Sequence, residues 1–257
     1  PAAGAGLFLR GEDDLVKVAL KGRGLADDIG AGDVGDVAVD FAAGVDEHEV
    51  TGLRDAAARG ELAPTEATVL GPFFWEGAPE LELGADITGV SSGTPAYYHG
   101  CVTDTAGKPV ANCTLDVWSG DGDGFYDLQK GADAPMALRA RFHTDANGNY
   151  RFWSIRPAYY PVPDDGPVGG MLRRMGRHPN RPGHMHTMLS APGHERLITH
   201  LFVSDSPYLD SDAVFGVRNS LIVQFEPHPA GKAPDGRVMT QPYHVAHYDF
   251  RLVPSAA

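Results

Sequence analysis

Two histidines, His184 and His186, stand two positions apart and are the first candidates for chemistry in this chain. Side chains alternate between the two faces of a β-strand, so on a strand both imidazoles would point the same way and could bind one metal ion. This spacing also arises by chance, because the chain has 11 histidines in all. A second pair, His244 and His247, lies in a less constrained context, and we interpret it as structural or surface.

Two tyrosines, Tyr126 and Tyr160, lie upstream of this pair. A phenolate is a hard anionic donor whose ordinary pKa is about 10, so only a strongly acidic cation keeps it deprotonated at neutral pH. Ferric iron has that character, whereas zinc sites usually use His, Cys and carboxylate ligands. Taken alone, each tyrosine is more simply a core or turn aromatic, so both interpretations stay open at this point.

The elements that must position these side chains are short β-prone runs separated by turn-forming residues. About seven such runs are typical of an antiparallel β-sandwich, so the predicted fold is mainly β. The chain holds 32 glycines and 20 prolines, a content that suits a turn-rich fold and argues against a helix bundle. The predicted strands are 97–103, 112–118, 149–155, 184–189, 197–203, 220–225 and 246–252.

Residues 156–183 interrupt this pattern with a long connection rich in Pro, Gly and Arg. Long connections within a domain are usually functional or disordered. This one contains Tyr160 beside several prolines, so we predict that it forms one wall of a site.

The first part of the chain differs in character from the rest. Residues 1–62 are predicted to form a small helical region, with helices at 12–20 and 46–59, and residues 63–257 the sandwich domain. The apolar faces of these helices are thin, so they need a second surface, either the sandwich or a partner subunit.

Composition excludes several classes of function. The net charge of −13 argues against nucleic acid, which requires a basic surface. No apolar run approaches the roughly 20 residues of a membrane span. Two cysteines are too few for a disulfide scaffold. No basic start with a long apolar core is present, so we expect a cytoplasmic location.

A series of short motifs runs through residues 64–226 in a fixed order. The series resembles the intradiol ring-cleaving dioxygenases, the group that contains the catechol and hydroxyquinol 1,2-dioxygenases. The motifs are Val69-Leu-Gly-Pro-Phe-Phe74, Gly77-Ala-Pro79, Gly107-Lys-Pro109, Asp116-Val-Trp118, Ser154-Ile-Arg-Pro157, Tyr160-Pro-Val-Pro163, Asp165-Gly-Pro167, Gly176-Arg-His178, Arg181-Pro-Gly-His-Met-His186, Ser190-Ala-Pro-Gly193 and Asp210-Ser-Asp-Ala-Val-Phe-Gly216.

The resemblance implies a site. Tyr126, Tyr160, His184 and His186 would bind one non-haem Fe(III) per chain, with Tyr160 and His186 axial and the other two equatorial beside a hydroxide. Arg181 would stabilise charge on the bound substrate. We further predict that Tyr160 leaves the metal and acts as a base, because it lies in the Pro- and Gly-rich connection 156–183, where its side chain can move away. The substrate wall would consist of Val69, Pro72, Phe73, Val162, Pro163 and Val214.

The implied activity is cleavage of an aromatic diol between its two hydroxylated carbons with O2, in aromatic catabolism. The motifs at 160–163 and 211–216 resemble the hydroxyquinol branch more than the catechol branch, so maleylacetate is expected ahead of cis,cis-muconate. The family pairs through its N-terminal helices, so a homodimer is expected. His200 stands where catechol-cleaving relatives tend to have Gln, and residues 1–60 depart from the family's longer helical region.

Two other functions remain open from the sequence. A cupin-like Fe(II) or Mn(II) oxygenase would use His184, His186 and Glu195 as two imidazoles and one carboxylate. A non-catalytic, transthyretin-like sandwich module would need none of these residues. The aromatic residues Trp118, Phe152 and Trp153 are predicted to be core.

Overall fold

The structure is a computed structural model that describes residues 62–131 and 135–255. All of these residues belong to the second of two structural units, Glu47–Ala257. The helices predicted at 12–20 and 46–59 lie outside the described residues. The domain boundary at residues 62 and 63 and the helix-mediated dimer therefore stay predictions.

Most regular structure in the described part of the chain is β-strand. One helix, α1, spans Pro167–Arg174. The strands are β1 (Pro95–Asp104), β2 (Thr114–Trp118), β3 (Arg139–His143), β4 (Asn149–Ile155), β5 (Tyr160–Pro161), β6 (Asn180–Arg181), β7 (His184–Ser190), β8 (Leu197–Val203), β9 (Ile222–Val223), β10 (Phe225–His228), β11 (Gly231–Lys232), β12 (Val238–Met239), β13 (Tyr243–His247) and β14 (Phe250–Leu252).

Two five-stranded sheets form the sandwich. One has the order β3-β2-β7-β8-β9, and the other has the order β10-β13-β1-β14, with β4 also paired to β1. Both sheets contribute to one buried cluster, in which Phe142 of β3 stacks on Phe152 of β4 at a centroid distance of 5.1 Å. The predicted β-sandwich is confirmed.

The strands are not all antiparallel. β1 runs parallel to β13 and β14, and β8 runs parallel to β9. Parallel neighbours require a long crossover between them, and the chain provides one because β13 and β14 follow β1 only after most of the sandwich has formed. Both sheets are therefore mixed, which strand-by-strand patterns did not reveal.

Several predicted strands agree closely with the observed ones, and others do not. The predictions at 149–155 and 197–203 match β4 and β8. The run 220–225 is instead a 3-10 turn at Asn219–Leu221 followed by β9 and the start of β10. The run 246–252 falls across β13 and β14. β3 was not predicted, because three of its five residues are Arg or His.

The long connection 156–183 is an ordered segment that contains β5, α1 and β6. β5 and β6 pair with each other, which places Tyr160 opposite Arg181. The helix begins after Gly166 with Pro167 in its first turn, a position that proline favours. Within the described residues, no helix has both the length and the apolar character needed to cross a membrane.

Candidate metal centre

The centre is built on β7, where His184 and His186 share one face. Their Nε2 atoms lie 3.2 Å apart, and each side chain is 1% exposed. The neighbouring strands place Trp118 of β2 and His200 of β8 directly opposite His186. Trp118 stacks on His186 at 4.7 Å, so this predicted core residue is buried and also forms one side of the centre.

Hydrogen bonds orient the two imidazoles. Nδ1 of His184 lies 2.7 Å from the carbonyl oxygen of Pro182 and donates to it, which leaves the Nε2 lone pair facing the centre. Nε2 of His186 lies 3.1 Å from the hydroxyl of Tyr126, whereas its Nδ1 is buried and has no hydrogen-bond partner within residues 62–131 and 135–255. Both inward-facing nitrogens are thus Nε2 atoms.

The two tyrosines reach the same point from different segments. Tyr126 precedes a 3-10 turn, Asp127–Lys130, and its backbone N–H donates to Oε1 of Gln129 at 2.8 Å. Tyr160 belongs to β5. The two phenol rings lie 5.4 Å apart, and the ring of Tyr160 lies 5.6 Å from that of His184. The structure therefore brings all four predicted ligands together.

Burial controls the charges of these groups. Desolvation, and then the cationic Arg181, lowers the pKa of His184 well below its usual range. Desolvation followed by repulsion from His184 does the same to the pKa of His186. Desolvation, and then the neighbouring Tyr160, raises the pKa of Tyr126 well above 10. Without a cation the centre holds neutral imidazoles and a protonated phenol at Tyr126.

This donor set fits a metal ion. The Nε2 atoms of His184 and His186 lie only 3.2 Å apart, close enough to bind one cation. Nitrogens bound to one ion at about 2.0–2.1 Å lie about 3.3 Å apart at a tetrahedral angle. The buried group formed by His184, His186 and His200 could accordingly hold a metal.

Arg181 is a buried cation beside the two histidines. Its Nη1 lies 3.2 Å from Nε2 of His184, and Asp212 accepts from its Nε at 3.1 Å and from its Nη2 at 3.2 Å. Burial alone would lower the pKa of Arg181, but Tyr160 and Asp212 outweigh it and raise the pKa above the usual value. The guanidinium thus stays charged while being 3% exposed.

The predicted substrate wall is placed in part. Phe73 stacks on Tyr126 at 4.3 Å and meets Tyr160 edge-on at 6.3 Å. The backbone N–H of Val214 donates to Asp212 at 3.3 Å, which fixes this residue near Arg181. The other four residues are exposed or half-buried and lie close in sequence to Phe73 or Tyr160. Their role in substrate binding stays a prediction: Val69, Pro72, Val162 and Pro163.

Sequence reasoning missed two supporting groups. Asp212 was visible only as part of the motif 210–216, with nothing to indicate that it pairs with Arg181. Asp127, next to Tyr126, forms a buried ion pair with Arg139, whose Nη1 also donates to the carbonyl oxygen of Phe73 at 3.1 Å. This pair joins the turn of Tyr126 to the segment of Phe73.

The cupin-like alternative is not favoured. Glu195 is exposed on the segment that joins β7 to β8. This segment follows the C-terminal end of β7, whereas His184 and His186 lie at its N-terminal end. The residue that adjoins these histidines is instead His200, whose ring lies 4.8 Å from His184 and 4.2 Å from His186.

A family model described as Dioxygenase matches residues 69–254, a range that includes all four predicted ligands. The chain belongs to the intradiol ring-cleaving dioxygenase family.

Relatives from two branches of the family match this chain. The hydroxyquinol 1,2-dioxygenase of Corynebacterium glutamicum is 51% identical over 195 residues, which are 75% of this chain and 64% of that relative. The catechol 1,2-dioxygenase of Candida albicans is 41% identical over 63% of this chain and 54% of its own length. The chain thus spans somewhat less than two thirds of these curated relatives.

Among solved structures, the hydroxyquinol 1,2-dioxygenase from Pseudomonas putida DLL-E4 has a TM-score of 0.70 at 43% identity, covering 82% of this chain and 74% of that one. The catechol 1,2-dioxygenase of Acinetobacter radioresistens has a TM-score of 0.72 at 29% identity, covering 84% and 72%. A non-catalytic sandwich module is therefore not favoured.

Proposed function

We propose that this protein is a ferric, non-haem intradiol dioxygenase that cleaves hydroxyquinol or catechol between the two hydroxylated carbons with O2. The observation that carries this proposal is the convergence of two phenols and two neutral imidazoles beside a buried arginine. Hydroxyquinol is the preferred candidate, because hydroxyquinol 1,2-dioxygenases match this chain at 48–51% identity and the catechol enzyme at 41%.

Iron would be held, one ion per chain, by Tyr126, Tyr160, His184 and His186. The two phenolates supply the hard anionic oxygens that a trivalent cation favours. When bound, ferric iron acts as a Lewis acid that orients the diol and increases its reactivity. The protein contributes the shape of the site and the transfer of protons.

Tyr160 is proposed to accept a proton from the substrate at its Oη. A diol that binds through both oxygens must lose two protons, and the phenolate of Tyr160 can accept one of them. Tyr160 suits this role better than Tyr126, because it belongs to a two-residue strand in the long connection and keeps 5% of its surface exposed. Tyr126 is fully buried and stacked on Phe73.

Arg181 is proposed to offset the negative charge that the substrate gains on deprotonation. Its carboxylate partner Asp212 holds it in place by two hydrogen bonds. An arginine keeps its charge at all relevant pH values, and in a site with little water its field acts strongly on nearby anions. A homodimer and a cytoplasmic location remain part of the proposal.

The experiment is a side-by-side assay of the purified full chain. Iron content, oxygen uptake on hydroxyquinol and on catechol, and product mass from labelled O2 are measured together. We expect one iron per chain, a visible charge-transfer band, and both labelled atoms in maleylacetate or cis,cis-muconate. A yellow semialdehyde would show that the bond adjacent to the diol is cleaved, instead of the bond between the two hydroxylated carbons, and would contradict the proposal.

A further inference from the structure

His200 carries a buried nitrogen that the proposed iron centre does not use. Its side chain is fully buried, and its Nδ1 lies 2.5 Å from Oγ1 of Thr68. Its Nε2 has no hydrogen-bond partner among the residues that the structure describes. Burying a polar atom without a hydrogen-bond partner costs about 1–3 kcal/mol of folding free energy. The Nε2 of His200 is therefore a candidate ligand for a metal ion.

The strand register directs His200 toward the metal centre. His200 of β8 lies directly opposite His186 of β7, so the two side chains project from the same face of the sheet. Its ring meets those of His184 and His186 edge to face, at angles of 84° and 62°. The three imidazole rings therefore pack against one another, and their candidate ligand atoms lie within 4.8 Å of one another.

We propose that His184, His186 and His200 form a second donor set, which binds a divalent cation of the zinc and cobalt(II) class in competition with ferric iron. The two sets share His184 and His186. The ferric set is completed by the phenolates of Tyr126 and Tyr160, and the divalent set by the imidazole of His200. This inference goes beyond the proposed ring cleavage and does not depend on it.

Donor chemistry separates the two sets. Imidazole is a neutral donor that suits zinc and other late first-row divalent ions, and three imidazoles with one open position form a recurrent zinc site. Phenolate is a hard anion, and trivalent cations bind it more strongly than divalent cations do. One pocket thus offers an anionic set for Fe(III) and a neutral set for M(II).

Distances show what His200 must do to bind. The candidate ligand atoms of the three histidines lie within 4.8 Å of one another, whereas Nε2 of His184 and of His186 are 3.2 Å apart. His200 is therefore the outlying member. Bonds of about 2.0–2.1 Å cannot span 4.8 Å across one ion, so its ring moves inward on binding, with the bond to Thr68 as its tether.

The test is metal binding to the full chain after its iron has been removed with a chelator. Co(II) is the probe, because its visible bands report the number and type of ligands, and Zn(II) affinity follows by competition. We expect one site per chain. His200→Gln should weaken Co(II) and Zn(II) by more than the roughly 10–100-fold that loss of an outer-sphere partner costs, and should keep the charge-transfer band with Fe(III).

Tyr126→Phe is the matched variant and should do the reverse, losing the ferric band while binding Co(II) within about twofold of the wild type. His194→Gln, on the turn after β7, controls for the number of histidines and should change neither. Equal Co(II) binding by His200→Gln and the wild type would overturn the inference. So would a Tyr126→Phe variant that loses Co(II) as strongly as His200→Gln.

X-ray absorption of the Co(II)-loaded wild type tests the site without a substitution that could disturb folding. Three coordinated imidazoles support the inference, and two overturn it. A wild type that lacks the ferric band but binds Co(II) through His200 would disprove the proposed function and leave this inference standing.

Discussion

The side chains of the candidate centre come mainly from two kinds of scaffold, with Tyr126 on a separate turn. His184 and His186 lie on β7, which has neighbours on both sides within a five-stranded sheet. Tyr160 and Arg181 lie on β5 and β6, a pair of two-residue strands inside the long connection that we call the ribbon. Ligands on a central strand are held by a ladder of hydrogen bonds, whereas those on a short ribbon depend on side-chain contacts. The strand therefore fixes the positions of two candidate ligands, and β5 and β6 carry the two groups that we propose to act on substrate.

The largest expected effect is on the strand side. His184→Ala removes an inward-facing Nε2 and leaves a void between Arg181 and His186. We expect a loss of iron affinity greater than about 100-fold, since even outer-sphere changes cost roughly 10–100-fold, together with loss of turnover. Metal analysis and the visible spectrum measure this. A variant that retains full colour and activity would contradict the view that the histidines of β7 hold the iron.

The ribbon side should respond differently. Tyr160→Phe removes one donor oxygen and the proposed base, while Tyr126, His184 and His186 remain. We expect much of the iron to be retained and kcat to fall by about 10²–10⁴, the usual contribution of general acid–base catalysis. Iron content and kcat on the same sample test this, with Tyr159→Phe as the control. Equal losses of iron and kcat would remove the distinction between strand and ribbon.

Asp212 holds Arg181 of the ribbon by two hydrogen bonds, and this contact can be tested by substitution. Asp212→Asn leaves the buried Arg181 without its carboxylate, and breaking one partner of a buried pair costs about 3–5 kcal/mol. We expect a lower midpoint of urea unfolding and a lower kcat. Exposed Asp210→Asn serves as the control. If Asp212→Asn leaves both values unchanged, Arg181 is held by something other than this ion pair.

The smallest expected effect is the pH dependence of stability in the metal-free chain. The pKa values of His184 and His186 are lowered in the folded state, so below the usual histidine pKa of about 6.5 the unfolded state binds more protons. Stability should be fully present above that pH and fall as the pH drops. Urea unfolding between pH 8 and 5 measures the slope, and His184→Gln should reduce it.

The strand side was largely predictable from sequence, because its signal is local. Alternation places His184 and His186 on one face of any strand, and β7 extends the predicted run by one residue. The ribbon side was not, because its partners are distant in the chain. Nothing in the residues around Tyr160 indicates that β5 pairs with β6 or that Asp212, 31 positions from Arg181, holds the guanidinium.

The sequence by itself determined the residue types of the centre, the β-rich character of the chain and, through the order of its motifs, the family. Only the tertiary structure decided that β1 has parallel neighbours, that Asp127 and Arg139 join the turn of Tyr126 to Phe73, and that His200 faces His186. The physical reason is that periodicity and turn chemistry act over a few residues, whereas strand pairing and buried ion pairs depend on which distant segments the shared core brings into contact.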